Sequence, residues 1–493
     1  MNPSPKATAE RCKTGIEGLD DILDGGLPRN RIYLILGRPG VGKTTMALQF
    51  LMEGVRRNER SLYITLSETK EELHEVARAH GWDLSGVDLF ELSAIEAQLK
   101  QEADTTFFNP SEVELSRTTK ALLDEVERVK PTRVVFDSLS ELQLLSETAL
   151  RYRRQILHLK QFFAGRNCTV LLLDDGMDDA QDNQVESLAH GVIMLERDDP
   201  AYGIARRMLH VRKIRGVRFR EGKHDILLKT GGVIAFPRLV AAEHHTPFVR
   251  QSISSSVSNL DALLGGGLDR GTTSMFLGPP GTGKSTLAVR FALSAAQSGE
   301  KVLFFTFDET KATLLARARE LGMDIAPHMQ SGQIQLVQVD PAEVSPGEFA
   351  FQIKQAVQRD GVRMLVIDSI NGYMNAVTEP RHLNLQLHEL MAYLNQQGVT
   401  TILVLTQQGV VGLMNTNVDL TYLSDTVVLL RYFEAQGEVR QAVSVIKKRS
   451  GSHERTIRRL ELRPGGIVVG DVLREFHGVL SGIPVLNGSD RKT

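Results

Sequence analysis

Cysteine is nearly absent from this chain: Cys12 and Cys168 are its only two in 493 residues. Two thiols so far apart build neither a disulfide framework nor a cysteine-ligated metal site, so the expectation is a reducing compartment with Cys168 as a small core residue. An excess of charge of one sign is missing too. Fifty-eight Lys and Arg against 60 Asp and Glu leave a net charge of -2, which excludes a global pull toward nucleic acid or an anionic membrane and leaves only local patches. No apolar run reaches the roughly 18 residues of a membrane span. The opening Met1-Asn2-Pro3-Ser4-Pro5-Lys6 passes into polar residues without the apolar stretch of a signal peptide, so a cytoplasmic location with no membrane partner is expected. Low-complexity tracts are also lacking. Apolar residues at 42% and charged residues at 24% are those of a folded chain, and the length exceeds what one core supports, giving two to four domains.

What the chain does contain is one motif twice. Gly37-Arg38-Pro39-Gly40-Val41-Gly42-Lys43-Thr44 and Gly278-Pro279-Pro280-Gly281-Thr282-Gly283-Lys284-Ser285 both read G-x-x-x-x-G-K-[ST], each after a short apolar run at 32–36 or 274–277. Glycines let consecutive backbone N–H groups turn around an anion, the lysine reaches the β- and γ-phosphates, and the Thr or Ser hydroxyl helps hold Mg²⁺. A helix starting at Lys43 or Lys284 adds its N-terminal dipole to the same anion. These stretches, with Thr45 and Thr286 just beyond them, are the expected nucleotide-binding residues.

The repetition extends beyond the loops. Asp20 and Asp261, like Gly37 and Gly278, stand at one constant offset, and each lies in a short helix or loop of the same text. After each loop come an amphipathic helix (45–57, 286–297) and a strand (61–66, 301–307). A further helix follows, closing on His80-Gly81-Trp82-Asp83-Leu84 or Leu321-Gly322-Met323-Asp324-Ile325, and then another strand (89–92, 334–339). Strand alternating with helix predicts a mostly parallel α/β sheet in each half. Helices at 115–129 and 349–358 lead to apolar strands that deliver Asp137 and Asp368 at their carboxyl ends. Ligands sit there in open α/β sheets, so both aspartates are candidate Mg²⁺-organising residues beside Thr44 and Ser285. Later strands at 169–173 and 400–405 end at Asp174-Asp175 and Thr406-Gln407-Gln408, where a Gln is a γ-phosphate sensor or a turn residue. Each half then finishes in a β-rich tail: 192–195, 207–213 and 226–229, then 426–430, 442–448 and 457–462.

With these residues in view, the chain resembles the KaiC family of tandem RecA-like ATPases. The resemblance covers about 14–480 and rests on the opening T-x-x-x-G-[LF]-D-x-[LI]-x-x-G-G-L, the two loops, Phe50-Leu51, Tyr63-Ile64-Thr65-Leu66-Ser67-Glu68-Thr69, Lys213-Ile214-Arg215-Gly216 and Ser424-Asp425-Thr426-Val427-Val428-Leu429-Leu430. It implies two RecA-like P-loop NTPase domains, each a mostly parallel sheet flanked by helices. The first is expected at 14–243 after a flexible leader (1–13), and the second at 257–480 after a linker (244–256) and before a short tail (481–493). It further implies ATP and Mg²⁺ as cofactors and a homohexameric double ring with nucleotide between neighbouring subunits.

Carried over residue by residue, Glu68 and the pair Asp308-Glu309 stand near the attacking water, and Lys213, Arg215, Lys447 and Arg449 match positions that reach a neighbour's nucleotide as trans-acting fingers. The family has two adjacent glutamates; Ser67 replaces the first here, and a serine is no general base at neutral pH, so the second site is expected to be the more complete. In clock members an adjacent Ser and Thr before the apolar strand are phosphorylated. Thr421 falls on the Ser position and is the phosphosite candidate, while Tyr422 replaces the Thr and projects its hydroxyl farther. The short stretch after Gly482 is expected not to serve as the tail that binds the clock's activating partner, which favours other signalling partners. Two further readings stay open: a DNA-translocating or recombinase ATPase, with basic residues 206–223 lining a pore, and a nucleotide-gated assembly scaffold with little turnover.

Overall fold

The structure is a computed structural model that describes residues 10–92, 110–146, 148–176, 185–200, 203–375, 380–407, 420–481 and 485–486. The chain divides into two compact units, Met1–Arg238 and Leu239–Thr493.

In the first unit the sheet strands are β1 (Ile32–Leu36), β2 (Ser61–Thr65), β3 (Val87–Glu91), β4 (Arg133–Asp137), β5 (Thr169–Asp174), β6 (Gly191–Asp198), β7 (Arg206–Ile214), β8 (Lys223–Lys229) and β9 (Gly232–Phe236). They form one nine-stranded sheet in the order β9-β8-β7-β6-β1-β5-β4-β2-β3. Pairing is parallel from β6 through β3 and antiparallel from β6 to β9. In the second unit β10 (Thr273–Gly278), β11 (Lys301–Thr306), β12 (Ile334–Gln338), β13 (Val362–Asp368), β14 (Thr400–Thr406), β15 (Thr426–Ala435), β16 (Glu438–Lys448), β17 (Ile457–Arg463) and β18 (Gly466–Val472) repeat that order strand for strand. The last strand of each tail, β9 and β18, has no counterpart in the sequence reading; each follows a glycine turn, and they run over five and seven residues. The fold is two tandem, mostly parallel sheets flanked by helices, as the alternation of elements predicts.

The inner parallel strands are buried because helices cover both faces, while the outermost, β3 and β12, mix buried and exposed residues. All five residues of β1, β2 and β4 are buried. The central strands β1 and β10 each run directly into a phosphate loop and then a helix, α1 (Lys43–Arg56) or, in the second unit, Lys284–Gln297. A helix at Lys70–Ala79 in the first unit and one at Lys311–Glu320 in the second follow β2 and β11. Thr69 caps the former through a reciprocal box with Glu72, and Thr310 caps the latter through the Thr313 amide.

One core feature separates the units. Arg133 on β4 is wholly buried, bonds Glu59 at 2.5 Å and the carbonyls of Lys13 and Phe50 at 2.7 and 2.8 Å, and lies 4.7 Å over the Phe50 ring. Arg29 shares Glu59 at 2.6 Å. The second unit keeps only an Arg270–Glu300 pair and places buried Met364 where Arg133 stands.

The boundaries differ from the sequence expectation in two places. Arg11 and Cys12, expected in a flexible leader, pair with Leu27–Pro28, and Cys12 is fully buried. Residues 239–243 belong to the second unit, and the stretch 244–256 is packed on it. The Ala241 amide donates to Glu389 at 2.9 Å, Thr246 donates to Gln396 and Gln397, His244 stacks edge-on to Tyr393, and Ser252–Ile253 pairs with Leu268–Asp269.

Candidate functional site

The first phosphate loop turns around glycines in left-handed backbone. Gly42 has φ +109° and ends the loop as the cap of α1, a conformation open to glycine and strained for other residues. Lys43 is buried and folds back into the loop, its Nζ donating to the Gly37 carbonyl at 2.5 Å and to Asp175 Oδ1 at 2.8 Å. Val41 and Thr45 are buried, so what they offer an anion is backbone N–H. Thr44 Oγ1 donates to Asp137 Oδ2 at 3.2 Å, and the phenol of fully buried Tyr63 donates to the same oxygen at 2.5 Å. Burial pushes the Asp137 carboxyl up, while the Tyr63 and Thr44 hydrogen bonds pull it back.

Glu68 follows β2 in a turn that Thr65 closes, its Oγ1 donating to the Glu68 carbonyl and accepting from the Glu68 amide. The Thr69 cap fixes it from the other side. Its carboxyl is raised to about 7, first by burial and then by the negative Asp137 and Glu72, with Lys43 opposing. Its Oε2 is buried without a hydrogen-bond partner.

The second loop repeats the frame with different neighbours. Gly283 (φ +95°) caps the following helix, and buried Lys284 donates to the Pro279 carbonyl at 2.7 Å. Burial lowers the Lys284 ammonium to about 8, with Asp368 opposing. Buried Thr282 also donates to Pro279, and Gln441 donates to the Gly281 carbonyl. Asp368 is raised to about 6, first by burial; its hydrogen bond with Ser285 and the Arg317 charge oppose this, and Glu309 and Asp308 add to it. Where β2 has Tyr63, β11 has Phe304, two residues before the threonine that pairs with the strand-end aspartate.

The carboxylates of the second site are both engaged. Ser369 donates to Asp308 Oδ2 at 2.5 Å, and Arg317 holds Glu309 by two bonds of 3.2 and 2.7 Å while reaching Thr286 Oγ1 at 2.7 Å. Gln407 is buried with its Oε1 unbonded; Gln408 lies outside the described residues. Both loops therefore present left-handed glycines, a buried lysine and a hydroxyl bonded to a strand-end carboxylate. All-oxygen donors beside a cationic phosphate cradle fit Mg²⁺-nucleotide.

A sequence profile of the ATPase family KaiC matches residues 12–240 and again 253–473. The chain belongs to the KaiC ATPase family. Among curated relatives, the circadian clock oscillator protein KaiC of Synechococcus elongatus is 27% identical over 499 residues, covering 100% of this chain and 95% of that protein. The protein of the same name in Thermostichus vulcanus is 26% identical over 501 residues, with 100% and 95% covered. The circadian clock protein KaiC3 of Synechocystis is 25% identical over 482 residues, with 97% and 95% covered.

The basic residues that the KaiC resemblance assigns as fingers are not brought to their own loops. Lys213 pairs with Val192 on β6, level with Leu34 midway along β1, and the Arg215 amide bonds the His190 carbonyl, level with the start of β1, while the loop stands where β1 ends. That is roughly 10 Å along the strands for Lys213 and roughly 15 Å for Arg215. Lys213 donates to the Glu186 carbonyl and Arg215 to that of Ser187. In the second unit Lys447 donates to the carbonyls of Thr421 and Ser424 at 2.9 and 2.8 Å, and Arg449 lies 3.9 Å from Asp425. Thr421 begins a short 3₁₀ turn at that same end, followed by half-exposed Tyr422.

Sequence reasoning missed Tyr63, Asp175, Ser369 and Arg317. Tyr63 and Arg317 carry a signal in hindsight, since each breaks the internal repeat: Phe304 and Val76 occupy the matching positions.

Proposed function

We propose that the chain binds Mg²⁺-ATP at both loops and hydrolyses it at subunit interfaces of a homohexameric double ring in the cytoplasm. The observation that carries this reading is the paired arrangement in which Lys43 and Lys284 fold into their loops while Thr44 and Ser285 bond Asp137 and Asp368. Lys43, Lys284 and the loop amides hold the phosphates, and the hydroxyl–aspartate pairs hold Mg²⁺. Bound Mg²⁺ offsets the charge on the transferring phosphoryl group.

At the first site Glu68 accepts the proton of the attacking water; a carboxylate with an ordinary pKa is a weak base, and one raised to about 7 is matched to neutral pH. At the second site Asp308 takes this role, because Glu309 is held by Arg317. Lys213, Arg215, Lys447 and Arg449 act on a neighbour's nucleotide, a role supported by their position back along the strands from their own loops. Among the described residues no helix is long and apolar enough to cross a membrane. The basic stretch 206–223 gives little support to a nucleic-acid partner, since Arg212 and Lys223 are paired with Glu186 and Glu196.

ATP turnover of Lys43→Ala and Lys284→Ala, measured separately, tests the reading. Each is expected to lose one site's share. Unchanged turnover in both would leave a nucleotide-gated scaffold instead. Autophosphorylation of Thr421 is a second proposal, favoured because Lys447 braces the Thr421 carbonyl at the end of the unit that carries the fingers. Peptide mass spectrometry after incubation with Mg²⁺-ATP is expected to find phosphate on Thr421, and a clean peptide removes the autokinase.

A further inference from the structure

The two metal-organising aspartates sit at the same point of the same sheet, yet only one is held from behind. Tyr63 is wholly buried on β2, the strand beside β4, and its ring packs in the core while its hydroxyl ends 2.5 Å from Asp137 Oδ2. Thr44 Oγ1 approaches the same oxygen at 3.2 Å. Two donors on Oδ2 fix the plane of the carboxylate and leave Oδ1 outside these bonds. In the second unit the adjacent strand offers the bare ring of Phe304, also buried, and the Asp368 carboxylate has Ser285 but no phenol from that strand.

We propose that Tyr63 is a positioning residue for Mg²⁺ at the first phosphate loop, and that Phe304 leaves the second site with the weaker hold on the same ion. The proposal rests on the reading that both loops bind Mg²⁺-nucleotide. The physical reason is geometric. Mg²⁺ demands near-ideal octahedral geometry and is held in such sites by few protein oxygens, so a carboxylate free to rotate about its χ2 axis binds it less well. Outer groups that hydrogen-bond a ligand carboxylate are worth on the order of 10 to 100-fold in metal affinity. Tyr63 does not touch the ion or the nucleotide, so its effect passes only through Asp137.

The test isolates each site with the other loop's lysine removed. In full-length Lys284→Ala protein a fluorescent ATP analogue reports the first site, and in Lys43→Ala protein the second. Affinity is measured in EDTA and across a Mg²⁺ titration, with Mn²⁺ binding followed by electron paramagnetic resonance as a readout independent of turnover. The first site is expected to half-saturate at about tenfold lower Mg²⁺ than the second. Adding Tyr63→Phe to the first-site protein is expected to raise its Mg²⁺ requirement about tenfold, to the level of the second site, with metal-free nucleotide affinity unchanged.

Equal Mg²⁺ requirements at the two sites, or no change on Tyr63→Phe, would overturn the proposal. A loss of nucleotide affinity in EDTA equal to the loss in Mg²⁺ would overturn it too, by showing a general packing role. If neither isolated site binds the analogue at all, the nucleotide reading itself fails, which is a separate result. The comparison of the two sites needs no change at Tyr63 and so stands even if Tyr63→Phe unfolds.

Discussion

The two halves share a sheet order, a loop and a strand-end aspartate, and they differ in what surrounds the carboxylates. Around the first loop Asp137 is tied to Tyr63, Lys43 has Asp175 for a partner, and Glu68 keeps a buried oxygen without one. Around the second, Phe304 stands at the strand position that matches Tyr63, Lys284 turns to a backbone carbonyl, and Glu309 is clamped by Arg317. The first site thus joins a firmly held aspartate to an unclamped Glu68, and the second joins a less braced aspartate to a clamped Glu309, which leaves Asp308 as its proposed base. Counting acidic residues ranks the second site ahead; the hydrogen bonds redistribute that ranking, because a carboxylate locked in an ion pair is a poor proton acceptor.

The sharpest way to break the comparison lies in the core. Arg133→Ala is expected to destabilise the first unit by about 3 kcal/mol, since Glu59 loses one cation and two carbonyls lose a donor while Arg29 remains. Arg133→Met, which copies Met364 of the second unit, is expected to cost less than half as much. Thermal unfolding of both variants reads this directly.

Next in size, Glu68→Gln in the Lys284→Ala background is expected to lower first-site turnover by about 100-fold. Glu309→Gln in the Lys43→Ala background should cost the second site far less, and Asp308→Asn far more. A first site indifferent to Glu68 would undo the contrast drawn above. First-site turnover should also depend on pH. Below about 7 Glu68 carries a proton and cannot accept another, so the rate is expected to climb as pH rises through that value and level off above it. A steady-state profile from pH 6 to 9 checks the sign.

Arg317→Leu removes the clamp and is expected to change second-site turnover by several-fold and leave the first site untouched, as single-site assays would show. The smallest effect belongs to Thr69→Ala. Losing the cap costs about 1 kcal/mol and loosens the turn that carries Glu68, to be seen as a modest fall in first-site rate.

The sequence by itself determined the two phosphate loops, the common register of the halves and the aspartates at the ends of β4 and β13. Those signals are local: a glycine spacing, an apolar run and the residue that ends it lie within a few positions of one another, and backbone geometry translates them directly into structure. Element ends were less legible; the helix read at 115–129 begins at Pro110, and β9 and β18, each just past a glycine turn, went unread.

What only the tertiary structure decided is which side chain meets which. Tyr63 and Asp137, Lys43 and Asp175, or Arg317 and Thr286 come from elements separated by tens of residues, and they meet because the strand order seats β2 beside β4 and lays the helix of Arg317 against the one that starts at Lys284. Spacing along a chain carries no record of that order. The same holds for Lys213 and Arg215, whose basic text is plain in the sequence. The antiparallel return of β7 carries them back along the sheet, away from their own loop.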